Sequence, residues 1–185
     1  MTSGATRILL ISGSTRSGST NTAALRTAQE VAQPRVDTVL DQSLSVLPAF
    51  NPDDDHDPLP APVAALRKQI AAADALLICT PEYAGTLPGS FKNLLDWLVG
   101  GTEIAAKPTA WINVAAPGRG GGAHDTLATV LGYVTADVIT DACRRLPLAR
   151  QAVSPDGEVT DPAFRQGVAG ILAEITAYIA ARPAG

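Results

Sequence analysis

Short, nearly unbroken apolar runs alternate along this chain with longer stretches whose apolar residues recur every three or four positions. Arg7–Ser12 and Ala75–Thr80 are apolar almost throughout, as strands buried on both faces are. Thr109–Ala115 reads the same way, and Asp137–Ile139 begins a fifth strand. Arg35–Leu40 alternates and fits a strand nearer a sheet edge. Helical periodicity covers Asn21–Ala32, with Leu25, Ala28 and Ala32 on one face, then Ala61–Ala73, Pro88–Val99 and His124–Thr135. A last helix starts at Asp161-Pro162 and runs to about Ala181. Such β-α alternation predicts an α/β fold, a parallel sheet with helices on both faces, within one domain spanning 1–185. The loops after strands one, three and four are Gly13–Asn21, Pro81–Pro88 and Ala116–Gly122. They converge beyond the carboxyl ends of the strands, where open α/β sheets take ligands.

Leu47–Pro62 breaks the pattern with many Pro and Asp residues and reads as an irregular surface loop. Its run Asp53-Asp54-Asp55-His56-Asp57 carries ligand types for a divalent cation. The composition favours a solvated acidic loop, and no metal site is assigned.

Composition narrows the function. Apolar residues make up 46% of the chain and aromatic ones only 4%, so the core is built from Ala, Val, Leu and Ile. A net charge of −4 argues against broad binding to nucleic acid or an anionic membrane. The two cysteines, Cys79 and Cys143, are far apart, which leaves neither a disulfide framework nor a zinc pattern. No signal peptide and no bilayer-spanning run is read, so a soluble cytoplasmic protein is expected.

The chemistry concentrates in Gly13-Ser14-Thr15-Arg16-Ser17-Gly18-Ser19-Thr20-Asn21. Strand, small polar loop and helix aim backbone N–H groups at an anion, and the hydroxyls and Arg16 add donors. Gly13 and Gly18 keep the spacing of a nucleoside triphosphatase P-loop, but Ser19 stands where that loop has its Lys. The dinucleotide fingerprint spacing also fails. One phosphate monoester suits the loop better; a plain turn capped by Ser19 or Thr20 is the other reading.

A second motif, Thr80-Pro81-Glu82-Tyr83-Ala84-Gly85-Thr86-Leu87-Pro88-Gly89-Ser90-Phe91-Lys92-Asn93-Leu94-Leu95-Asp96-Trp97, makes the pattern specific. With Gly13-Ser14-x-Arg16-x-x-Ser19-x-Asn21 and Pro117-Gly118-Arg119-Gly120-Gly121, the chain resembles the NAD(P)H-dependent FMN reductase family, relatives of quinone, chromate and azo reductases. The resemblance implies a flavodoxin-like three-layer sandwich with a five-stranded parallel sheet in the order 2-1-3-4-5. It implies that Ser14, Arg16, Ser19, Thr20 and Asn21 hold the FMN phosphate. Pro81, Glu82, Tyr83, Ala84 and Gly85 would line the ribityl chain and the flavin ring, and Pro117 and Gly118 would flank the ring from the other side. Family members usually carry Asn at the position of Ala84, which removes a side-chain contact here.

The implied activity is hydride transfer from NADPH or NADH to FMN, then reduction of a quinone or similar small oxidant by a ping-pong mechanism. The cofactor carries such chemistry, so no protein group is assigned as catalytic. Glu82 has a second reading as a cap for the next loop, and Tyr83 as a surface or subunit contact. His124 either approaches the flavin or simply opens its helix. Trp97 reads as a buried packing residue, and Arg16 and Arg119 as candidates for the cosubstrate's phosphates. The resemblance further implies a homodimer, or a tetramer, with Pro88–Val99 as the candidate interface. Other functions fit the residues: a flavodoxin-type electron carrier or FMN-binding regulatory module without NAD(P)H activity, and a binding or regulatory module that lost its cofactor, which the Ala84 and Ala115-Ala116 departures keep open.

Overall fold

Strands β1 (Thr6–Ser12), β2 (Val36–Leu40), β3 (Ala75–Cys79), β4 (Pro108–Asn113) and β5 (Asp137–Val138) lie parallel in the order 2-1-3-4-5 in the computed structural model, which describes residues 4–182. β1 and β3 are central, and successive side chains point to opposite faces. Ile8, Leu10, Leu77 and Cys79 pack under helices α1 (Thr20–Val31) and α5 (Pro162–Ala181). Leu9, Ile11, Leu76 and Ile78 pack under α2 (Ala61–Ala72), α3 (Gly89–Asp96) and α4 (Gly121–Tyr133). Both faces of these strands are dry, which accounts for their unbroken apolar runs. β2 lies at the sheet edge and is only half-buried, as its alternation requires.

The fifth strand differs from expectation. Ile139 still donates its N–H to Thr109 O, but a 3-10 turn at Thr140–Ala142 then carries the chain off the sheet. Pairing with β4 resumes at β6 (Arg144–Arg145) and continues through Leu146 N to Asn113 O and Leu148 N to Val114 O. Two short strands therefore share one sheet position.

Helix α3 is also shorter than Pro88–Val99. After Asp96 the bonds tighten to Leu98 N to Leu95 O and Val99 N to Asp96 O. The Trp97 carbonyl is taken instead by Arg67, whose Nε and Nη2 donate to it at 2.9 and 2.6 Å. Trp97 itself is fully buried, donates Nε1–H to Pro48 O at 2.9 Å and meets the Phe50 ring edge-on.

The Pro- and Asp-rich segment is thus pinned to the core. Asp55 leaves the acidic run to pair with Arg67 at 2.7 Å, and both side chains are about nine-tenths buried. Asp53, Asp54 and Asp57 remain exposed, as a solvated loop requires. Among the described residues no three His, Cys, Asp or Glu side chains cluster as metal ligands. No helix among them is long and apolar enough to cross a membrane.

Candidate active site

The loop leaving β1 is built around a close crossing. A Cβ on Gly13 would lie 2.1 Å from Thr80 Oγ1, so the strand ends meet only because this residue has no side chain. Ser12 and Thr22 join their hydroxyls at 2.8 Å, and Ser12 Oγ accepts from Ser14 N. Gly18 takes the left-handed conformation (φ +65°) and turns the chain into α1. Ser19 caps that helix, its Oγ accepting from Asn21 N at 3.2 Å. The cap reading therefore holds, and it uses only one donor. The N–H groups of Ser17, Gly18, Ser19 and Thr20 find no protein acceptor among the described residues. Arg16 is exposed and makes no ion pair among them. The loop thus presents unpaired donors and a free cation at a helix N-terminus.

The second loop forms a tight hairpin. Tyr83 and Thr86 exchange backbone bonds at 3.0 and 3.1 Å, with Ala84 at φ +51° and Gly85 at φ +79°. Positive φ at both central positions is the type I′ geometry. Tyr83 flanks the Ala84-Gly85 tip and is 54% exposed. The turn rests on α4: a Cβ on Gly122 would lie 2.1 Å from Gly85 O, and Thr86 and Thr126 join hydroxyls at 2.9 Å.

Glu82 Oε2 accepts from Ala123 N at 3.2 Å. This bond explains why α4 begins at Gly121 and not at His124. Three glycines read as loop because glycine weakens a helix, and a carboxylate from another loop supplies the missing cap. Glu82 is expected from the sequence as a cap for the next loop; it caps the start of helix α4, beyond β4, instead. His124 sits in the first turn, buried, with Nδ1 donating to Gly120 O at 2.6 Å and Nε2 unpartnered. Gly118 and Gly120 in the third loop both have φ near +78°.

A cavity of about 470 Å³ opens between these loops. Asn21, Thr80 and Glu82 provide polar walls, Pro81, Val114 and Leu148 apolar ones, and Arg119 and Arg150 positive charge. Asn21 is held by the Cys79 thiol, which donates to Asn21 Oδ1 at 3.3 Å. Burial pushes that thiol far above its ordinary range, so it is a packing group rather than a nucleophile. Ser14 and Arg16 line an adjacent hollow of about 250 Å³ together with Arg26 and Asp41. Burial raises the Asp41 carboxyl, while hydrogen bonds from Ser43 pull it back.

The NADPH-dependent FMN reductase family model matches residues 6–146 of this sequence. The chain belongs to that family. It is 41% identical over 120 residues to an NAD(P)H-dependent FMN reductase of Pseudomonas aeruginosa, a match spanning 64% of each chain. It is 30% identical to a quinone reductase of Escherichia coli over 94% of this chain and 95% of the relative. In structure it is similar to FerB, a flavoenzyme NAD(P)H:(acceptor) oxidoreductase from Paracoccus denitrificans, with a TM-score of 0.75, 29% identity and coverage of 95% and 97%.

For this member of the FMN reductase family, the structure brings Thr20, Asn21, Pro81 and Glu82 into one cavity wall. Ser14 and Arg16 face the neighbouring hollow. Ser19 is the buried helix cap; Tyr83, Ala84 and Gly85 form the rim turn, and exposed Pro117 and Gly118 lie just outside the lining. Leu148 and Arg150 were not anticipated. They enter because pairing with β4 resumes past the 3-10 turn, and the apolar Leu146-x-Leu148 alternation was their one trace in the sequence.

Proposed function

We propose that this chain, an NAD(P)H-dependent oxidoreductase of the FMN reductase family, binds FMN across its first three active-site loops and passes reducing equivalents to a quinone or similar small oxidant. The observation that carries the reading is the set of unpaired N–H groups at Ser17–Thr20 beside the unpaired Arg16, next to a cavity with apolar walls. That donor set fits a phosphate monoester, and the cavity fits a flat aromatic ring. Ser14, Arg16, Ser19, Thr20 and Asn21 hold the phosphate. Pro81, Glu82, Tyr83, Ala84 and Gly85 line the ribityl chain and ring, with Pro117 and Gly118 on the far side. When bound, FMN supplies the hydride-accepting and electron-donating chemistry. The protein positions it and excludes water, and no side chain acts as nucleophile or base.

A single open ring face serves NAD(P)H and oxidant in turn, which is a ping-pong cycle within one domain over 1–185. The chain works in the cytoplasm as a homodimer, joined through α3 and the turn after it, where Val99 is 64% exposed. Light scattering showing a monomer at high concentration overturns the dimer.

The test of function is FMN titration followed by NADPH oxidation with a quinone. Yellow protein and parallel double-reciprocal lines are expected. Protein that cannot be loaded with FMN rejects the reading, and intersecting lines reject the shared site.

A further inference from the structure

The third loop of the cavity is fastened from behind. Ala115, Ala116, Arg119 and Gly120 line the cavity, whereas the side chains that hold them stand outside the lining. Arg145 Nη1 donates to Arg119 O at 2.7 Å, and His124 Nδ1 donates to Gly120 O at 2.6 Å. Asn113 ties the start of the loop, its Oδ1 accepting from Ala115 N at 3.0 Å, while its Nδ2 reaches Gly120 O only at 3.5 Å.

Gly120 is the junction where this loop becomes α4. It is buried, its φ is +78°, and a Cβ there would lie 2.8 Å from both Ala115 Cβ and Asn113 Oδ1. Only glycine fits, and glycine brings the loosest backbone, so the junction has to be fixed by its neighbours. Thr126 and Thr129 also reach back four residues, to Gly122 O at 2.8 Å and Asp125 O at 2.9 Å, but those carbonyls lie inside α4. The carbonyl that His124 holds belongs to the loop. A carbonyl only accepts, so Nδ1 carries the ring proton. Nε2 is buried with no partner among the described residues, and the ring lies 6.1 Å from that of Trp111, centroid to centroid. The Gly120 bond is therefore the one polar contact of this ring among them.

We propose that His124 is a positioning residue of the flavin site: through the Gly120 carbonyl it keeps the third loop in the shape that receives the FMN ring. This rests on the reading of the cavity as the flavin site. His124 stands outside the lining, so it acts on the ring only through the loop. A loop ordered in advance lowers the cost of binding.

Two variants isolate the bond. His124→Phe keeps an aromatic ring beside Trp111 and removes the donor; Nε2 has no partner to lose. His124→Asn returns a donor as many bonds from Cα as Nδ1 is. Fluorescence titration is expected to give an FMN dissociation constant about five-fold higher for His124→Phe, the scale of one hydrogen bond, and within about two-fold of the wild type for His124→Asn. The visible circular dichroism of the bound flavin changes in the first variant and returns in the second. A purely structural role lowers the melting temperature and leaves both flavin readouts alone. Unaltered FMN binding and flavin dichroism in folded His124→Phe overturn the proposal, and so does a His124→Asn variant no better than His124→Phe. If His124→Phe does not fold, His124→Asp, shaped like Asn but without the donor, takes its place with the same expectations. If the wild type fails to bind FMN, the functional reading falls separately. Hydrogen exchange over residues 115–121 of the unloaded protein then decides whether His124 fixes the loop: faster exchange in His124→Phe than in His124→Asn is expected, and equal exchange overturns it.

Discussion

Glu82 reaches across 41 residues of chain to cap α4, its Oε2 accepting the Ala123 N–H at 3.2 Å. The bond joins the loop after β3 to the helix after β4, and Glu82 also lines the cavity between them. The N-terminus of α4 opens with two glycines and has no side-chain cap of its own, so the Glu82 carboxylate also meets the positive end of the helix dipole. Glu82→Ala is expected to lower stability by about 1–2 kcal/mol, the usual scale for a lost cap with a charge. Glu82→Gln keeps the acceptor and should lose less. Urea unfolding of the two variants checks the order; equal stability of all three proteins removes the cap.

Ala84 occupies a backbone conformation that alanine disfavours. With φ at +51° it sits in the left-handed region, which costs an L-residue with a Cβ roughly 1–2 kcal/mol. Alanine at this position is therefore first a matter of backbone strain, since Asn followed by Gly is the preferred type I′ pair. Ala84→Asn is expected to stabilise the protein by about 0.5–1 kcal/mol and Ala84→Val to destabilise it. Chemical denaturation midpoints measure both, and a lower midpoint for Ala84→Asn contradicts the account.

Asp55 and Arg67 form a pair about nine-tenths buried, and Arg67 also holds the Trp97 carbonyl. Asp55→Ala strands the guanidinium with its charge unmatched, and a loss of about 3 kcal/mol is expected. Asp54→Ala, one position away and exposed, serves as the control and should cost within about 0.5 kcal/mol. Thermal unfolding of the two variants side by side tests the contrast.

Arg16 makes no ion pair among the described residues, so its charge is available to the FMN phosphate. Arg16→Ala is expected to weaken FMN binding by ~1.5–3 kcal/mol, the scale of one charge-assisted hydrogen bond. Fluorescence titration reads the change, and an unaltered FMN dissociation constant removes Arg16 from the phosphate site.

Local periodicity was enough to place the strands and helices, because a strand buried on both faces needs an unbroken apolar run and an amphipathic helix needs a stripe. β1, β3, α1 and α5 could be read for that reason, and so could the Ser19 cap, which depends on neighbours two residues away. That the Gly13 loop and the Pro81–Gly85 segment meet was legible from the β-α alternation, and only the ligand they would share came from the resemblance. What tertiary contact decided is of another kind. The start of α4 depends on Glu82, the end of α3 on Arg67, and the split of the last sheet position on a turn that returns to β4. Arg150 joins the cavity through that same return. Each of these rests on a bond between residues far apart in sequence, and a composition or spacing rule sees only neighbours.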